Sequence, residues 1–181
     1  AAAGVTVDLG ITAAQNTGDG NDTLLNFSNL TGSSQDDILK GNNNSNIIKG
    51  GNGADTIYGI GESNFLYGES GNDTFIGKVA GSDFIDGGAG SNKVDYSSLT
   101  QANSITVNLG TTTTFNDENS VSQTVYQIAI NGGGSDYIKY ISIFEGSAGN
   151  DTFKVGAGNY TFIGGAGDDT FNGSNFKDVL I

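Results

Sequence analysis

A nine-residue pattern recurs along this chain, most clearly at Gly50-Gly51-Asn52-Gly53-Ala54-Asp55-Thr56-Ile57-Tyr58 and at Gly164-Gly165-Ala166-Gly167-Asp168-Asp169-Thr170-Phe171-Asn172. Glycine stands at position one, aspartate at position six and an apolar residue at position eight. Glycine takes positive φ without strain, so the first half of the unit can turn sharply and aim its carbonyls inward. Position six then adds a carboxylate at the end of the turn, and position eight lies on a short strand with its side chain directed in. A unit this short holds only a very thin core, so its copies must stack to bury it. The same nine residues specify a fold and an oxygen-lined turn together.

Consecutive units begin at Gly32, Gly41, Gly50, Gly59 and Gly68; an extra residue near Gly77 shifts the register, which recovers at 78–86 and at Gly87. A second array runs from Gly146 through Val155, Gly164 and Gly173. Position eight is Leu39, Ile48, Ile57, Leu66, Phe75, Ile85 and Val94 in the first array, then Phe153, Phe162, Phe171 and Leu180, apolar throughout. Asp and Asn favour turns in general. Asp37, Asp55, Asp73, Asp151, Asp169 and Asp178, all in one phase, exceed that tendency. Repeated carboxylates and carbonyls suit calcium, which takes about six to eight hard oxygens.

In these units the chain closely resembles the RTX family, the hemolysin-type calcium-binding repeats of secreted bacterial proteins. The resemblance implies an all-β, right-handed parallel β-roll or β-solenoid in which two units make one coil and calcium sits between turns stacked on the same side. One edge of the first array then carries Asp37, Asp55, Asp73 and Asn92, and the other Asn46, Asn64 and Asp83. Calcium is expected on the aspartate edge, at Gly32, Asp37, Gly50, Asn52, Asp55, Gly68, Ser70 and Asp73. In the second array the matching positions are Gly146, Ala148, Asp151, Gly164, Ala166 and Asp169, with Tyr160 replacing the ligand on the opposite edge. An asparagine offers one neutral oxygen, so its edge is expected to be empty or water-filled. The whole reads as a one-sided row of ions.

Two readings stay open for Asp22 and Asp136, which end glycine-containing turns ahead of each array: a further site on the first coil, or a plain turn. Asp83, Asp86, Asp95 and Asp178 share that ambiguity. Asp178 ends a turn in which Phe176 and Lys177 stand where glycine is expected.

The flanks look duplicated as well. Val5-Thr6-Val7-Asp8-Leu9-Gly10 matches Ile105-Thr106-Val107-Asn108-Leu109-Gly110, and Gly20–Leu24 matches Gly134–Ile138. Two segments follow, 1–95 and 96–181, each an extended β flank leading into an array, read as one continuous solenoid. Alternation predicts strands at 4–9 and 104–109, whereas 111–124, rich in Thr, Asn and Ser, reads as an exposed loop. On one sheet the outward position seven is Ile38, Thr56 and Thr74, an ordinary solvated row. On the other it is Ile47, Phe65 and Phe84, an apolar column expected to be covered by 96–131 or by a neighbouring chain.

Composition narrows the function. Twenty acidic residues face seven lysines and no arginine, a net charge of -13 that opposes compaction until cations offset it. The same charge argues against nucleic acid and anionic membranes as partners. No apolar run approaches the about 18 to 20 residues of a membrane span, and no leader pattern opens the chain, which reads as an internal or processed fragment. Without His or Cys there is no Ser-His-Asp, Cys-His or zinc-protease arrangement, so an enzyme is not expected. The expected function is a calcium-binding structural module of a secreted or cell-surface bacterial protein, such as an adhesin, surface-layer or fibre component. The resemblance implies type I secretion and folding on calcium outside the cell. Copies of itself or neighbouring modules are candidate partners. The alternative is a calcium-dependent polysaccharide-binding module, using Tyr58 and Tyr67 as stacking platforms, beside an enzyme or toxin domain outside this chain.

Overall fold

The computed structural model describes residues 3–18, 20–174 and 176–181. Its first flank holds β1 (Thr6–Asp8), β2 (Gln15–Asn16), β3 (Asn21–Asp22) and β4 (Asn29–Thr31). The first array supplies β5 (Ile38–Lys40), β6 (Ile47–Asn52), β7 (Thr56–Tyr58), β8 (Phe65–Ser70), β9 (Thr74–Ile76), β10 (Phe84–Asp86) and β11 (Lys93–Asp95). Then come β12 (Ile105–Asn116), β13 (Ser122–Ile130) and β14 (Ser135–Lys139). The second array gives β15 (Ile143–Glu145), β16 (Thr152–Lys154), β17 (Thr161–Ile163), β18 (Thr170–Asn172) and β19 (Val179–Leu180). No helix occurs among the described residues.

Successive array strands alternate between two sheets, as a parallel β-solenoid requires. Sheet I runs β1-β5-β7-β9-β11-β15-β17-β19, and sheet II runs β18-β16-β12-β13-β14-β10-β8-β6-β4. Within each array, strands of the same sheet pair in parallel from one coil to the next. Leu39 lies beside Ile57 and Ile57 beside Phe75, while on the other sheet Ile48 lies beside Leu66. The extra residue near Gly77 lengthens the next coil, so Phe65 pairs with Phe84 and Thr74 with Lys93.

Position eight forms the core. Leu39, Ile48, Ile57, Leu66, Phe75, Ile85 and Val94 are fully buried, as are Phe144 and Phe153. Leu180, on the last strand, is exposed.

The segment 111–124 is not a loop. β12 and β13 form a long antiparallel hairpin, with Thr113 opposite Val125 and Phe115 opposite Gln123. Its threonines are exposed, as the composition suggests, but β-branched residues favour a strand over a coil. The outer end of this hairpin answers the apolar column on sheet II. Phe115 stacks on Tyr137 at 4.4 Å and on Phe84 at 5.8 Å, and its ring lies 6.4 Å from Phe65. The Tyr67 hydroxyl donates to Glu118. Phe84 is fully buried and Phe65 half-buried, so the chain's own 96–131 segment covers this face.

Candidate metal centre

Each array turn ends on position six, and these side chains form a ladder along the edges of the roll. On the edge leading into sheet I, the Asp37 N–H donates to Asp55 Oδ1 at 2.8 Å, Asp55 N–H to Asp73 Oδ1 at 2.9 Å, and Asp73 N–H to Asn92 Oδ1 at 3.0 Å. On the edge leading into sheet II, Asn46 donates to Asn64 and Asn64 to Asp83, both at 2.8 Å, and Asp83 to Asp136 at 2.9 Å. An oxygen at position six therefore bridges coils whether or not it carries charge. Position five makes a second ladder in the reverse sense: Asp36 Oδ1 accepts the Ala54 N–H at 2.7 Å, and Asn150 Oδ1 accepts the Asp168 N–H at 3.0 Å. The Asp-or-Asn bias at position five was visible in the sequence, and its meaning was missed.

Aspartate leaves a second oxygen over. At Asp55 and Asp73 this Oδ2 is buried without a hydrogen-bond partner. Each carboxylate pays for that isolation. Burial, with the nearby charges of Asp73, Asp37 and Asp36 adding to it, raises Asp55 to about 6 against the opposing hydrogen bond from Asp37. Burial also raises Asp73 and Asp151.

Position-one glycine shapes what surrounds the leftover oxygen. A Cβ on Gly32, Gly50, Gly68 or Gly146 would strike both the Oδ2 of its own turn's aspartate and the carbonyl oxygen of the next coil's glycine. The pairs are Asp37 with Gly50, Asp55 with Gly68, Asp73 with Gly87, and Asp151 with Gly164. A carboxylate oxygen and a carbonyl oxygen thus converge on one small cradle per coil. The turn geometry depends on glycine elsewhere too: Gly53 and Gly167, at position four, have φ of 116° and 113°.

The asparagine turns are closed differently. Asn92 Nδ2 donates to the Tyr140 carbonyl at 3.1 Å, Asn64 Nδ2 to Glu62 at 2.7 Å, and Asn46 Nδ2 to Ser28 at 2.9 Å. The amide hydrogen satisfies a carbonyl that would otherwise need a cation. Serine at position two has a related effect. Ser33 donates N–H and hydroxyl to Asp37 at 2.5 and 2.9 Å, and Ser147 does the same for Asp151 at 2.6 and 2.8 Å. These serines were also missed; Ser at position two against Gly51 marks the difference.

Of the remaining expected positions, Asn52 and Ser70 are exposed and pair in register, Ala166 is exposed, and Ala148 is half-buried with its N–H donating to Leu99. Asp169 accepts the Asp151 N–H at 2.8 Å. Asp22 joins neither edge: it is exposed in the β2–β3 hairpin and accepts from the Thr17 hydroxyl. Asp136 is a fully buried rung of the second edge.

The expectation of a one-sided row needs correction. Asp37, Asp55 and Asp73 end turns running from sheet II to sheet I, but Asp151 and Asp169 end turns running from sheet I to sheet II. The second array thus carries Asp151 and Asp169 on the opposite edge, while Asp178, which accepts the Tyr160 N–H at 3.3 Å, stays on the first. The duplicated flanks explain this. β1 caps the first array on sheet I, with the Val5 N–H on Asp37 at 2.6 Å, whereas its counterpart β12 caps the second on sheet II, with the Ile105 N–H on Asp151 at 2.7 Å. The second copy enters half a coil out of step.

Among the described residues no three acidic side chains converge, so an ion would draw mainly on backbone carbonyls with about one or two carboxylates per cradle. The fold and these edges define a metal-binding parallel β-roll built from nonapeptides. The chain belongs to the family of RTX calcium-binding nonapeptide repeats, matched in four copies at 31–61, 61–78, 80–98 and 145–180, more than half of its length. The unmatched interior is the segment carrying β12, β13 and β14. No curated protein matches the chain.

Proposed function

We propose that this chain is a calcium-dependent structural module of a secreted or cell-surface bacterial protein, with calcium acting as its folding switch. The ions are held at Gly32, Asp37, Gly50, Asn52, Asp55, Gly68, Ser70 and Asp73 on one edge and at Gly146, Ala148, Asp151, Gly164, Ala166 and Asp169 on the other. One observation carries the reading: Asp55 Oδ2 and Asp73 Oδ2 are buried without a partner, each beside a carbonyl oxygen of the next coil. A divalent cation supplies the missing charge, and the folded roll supplies the oxygens. RTX repeats are typical of secreted bacterial proteins, which meet abundant calcium only after export. Binding there contributes directly to folding free energy, because the unfolded chain has no preformed cradle. The polysaccharide reading gains little, since Tyr67 is engaged by Glu118 and Tyr58 is half-buried under Lys40.

A calcium titration of the metal-free chain followed by far-ultraviolet circular dichroism tests the proposal. β-sheet signal is expected to grow cooperatively with calcium and to reverse on chelation. A spectrum indifferent to calcium would overturn it.

A further inference from the structure

The second edge contains one junction of three carboxyl-bearing or amide rungs, Asn64, Asp83 and Asp136, at the point where the turn is one residue longer. There Lys78, next to Gly77 where the register slips, directs its ammonium onto Asp83 Oδ2 at 2.6 Å. Asp83 Oδ1 accepts from the Asn64 backbone at 2.8 Å and from its side-chain amide at 2.9 Å. Asp136 Oδ1 accepts the Asp83 N–H at 2.9 Å, and Asp136 Oδ2 accepts the hydroxyl of fully buried Tyr96 at 2.5 Å. All four carboxylate oxygens have partners from within the chain. That is the reverse of Asp55 and Asp73, whose leftover oxygens have none.

Lys78 differs from the other lysines in position as well as partner. Lys40 and Lys49 lie over Tyr58 and Tyr67, while Lys93 and Lys139 pair with acids on the outward faces of the sheets. Among the described residues Lys78 is the lysine whose ammonium pairs with a position-six carboxylate, with its side chain only 18% exposed and that of Asp83 2%. We propose that Lys78 is a built-in cation that takes the place of a calcium ion at this junction, so that the coils joined by Asn64, Asp83 and Asp136 hold together without metal. The extra residue in the turn gives the lysine room to fold back. Metal-free central coils then serve as the nucleus from which calcium extends the roll in both directions, and the proposal rests on the calcium reading only for this contrast with the two aspartate edges.

Amide hydrogen exchange on the full chain in chelator tests it. The N–H groups of Asn64 and Asp83 are expected to be protected without calcium, and those of Asp37, Asp55 and Asp151 only after calcium is added. Lys78→Met should cost the Asn64 and Asp83 amides at least about tenfold in protection without calcium, since it leaves a buried carboxylate unpaired. The double variant Lys78→Met with Asp83→Asn, neutral like the Asn46 and Asn64 rungs, should restore that protection, which separates charge balance from simple misfolding. Unchanged exchange in the single variant, or no recovery in the double, would overturn the proposal. If instead the Asp37, Asp55 and Asp151 amides ignore calcium, the calcium reading fails while the role of Lys78 stands.

Discussion

Replacing Asp55 by asparagine isolates the charge of one carboxylate while keeping its place in the ladder. The amide oxygen of the new side chain would still accept the Asp37 N–H, which now lies 2.8 Å from Asp55 Oδ1. The amide nitrogen would stand where the partnerless Oδ2 is and donate to the Gly68 carbonyl, as Asn92 Nδ2 donates to Tyr140. The folded-state value of Asp55, about 6 against an ordinary 3.8, sets the magnitude. A rise of that size corresponds to at most about 3 kcal/mol, and screening by water at the roll's edge reduces it to about 1–2 kcal/mol. The sign follows from a folded state that holds its proton more tightly than the unfolded state. That contribution to metal-free stability is fully present below pH 3.8 and is lost as pH rises through about 6. D55N should therefore be more stable than the parent in chelator at pH 7.5, by about 2–8 °C in melting temperature for about 1–2 kcal/mol. The advantage should shrink as the pH is lowered through 6 toward 4. In calcium the order reverses, because the variant has lost one anionic ligand, and calorimetry should count one ion fewer. A variant less stable than the parent without metal, or an unchanged ion count, would refute the reasoning.

Gly50→Ala should also remove an ion, for a steric reason. Gly50 has no positive φ, so alanine fits its backbone, but the added methyl collides with Asp55 Oδ2 and the Gly68 carbonyl. Calorimetry is expected to show one site lost, without the metal-free stabilisation that D55N brings. Phe115→Ala should leave the ion count alone and cost about 1–3 kcal/mol in calcium, because it strips the cover from Phe65, Phe84 and Tyr137. Increased binding of a hydrophobic dye in the folded state would report the uncovered column.

Much of this architecture was legible because a strict period ties each residue to a place. Once the two-unit coil that the family resemblance implies is laid on that period, the stacking of Leu39, Ile57 and Phe75 follows, and so does the separation of Asp55 from Asn46 and Asn64 onto different edges. The apolar residues Phe65 and Phe84 at an outward position likewise announced a cover. Legibility ended where the period did. Between Tyr96 and Ser142 nothing in the spacing says that Ile105 pairs into sheet II while its counterpart Val5 leads into sheet I, so the switch of edges was hidden. Tyr96 reads as an ordinary residue after a strand, yet it crosses the core to Asp136, a contact only tertiary packing creates. Lys78 was equally opaque, since a lysine in a turn is most often simply solvated.

The half-coil offset between the two copies bears on how the roll responds to loading. Ions drawing together successive turns along one margin alone would shorten that margin and curve the rod toward it. Here the first copy would bend toward one side and the second toward the other. Opposed bends in successive halves would give a shallow S whose two ends keep the same direction, where a single loaded margin would give one continuous arc.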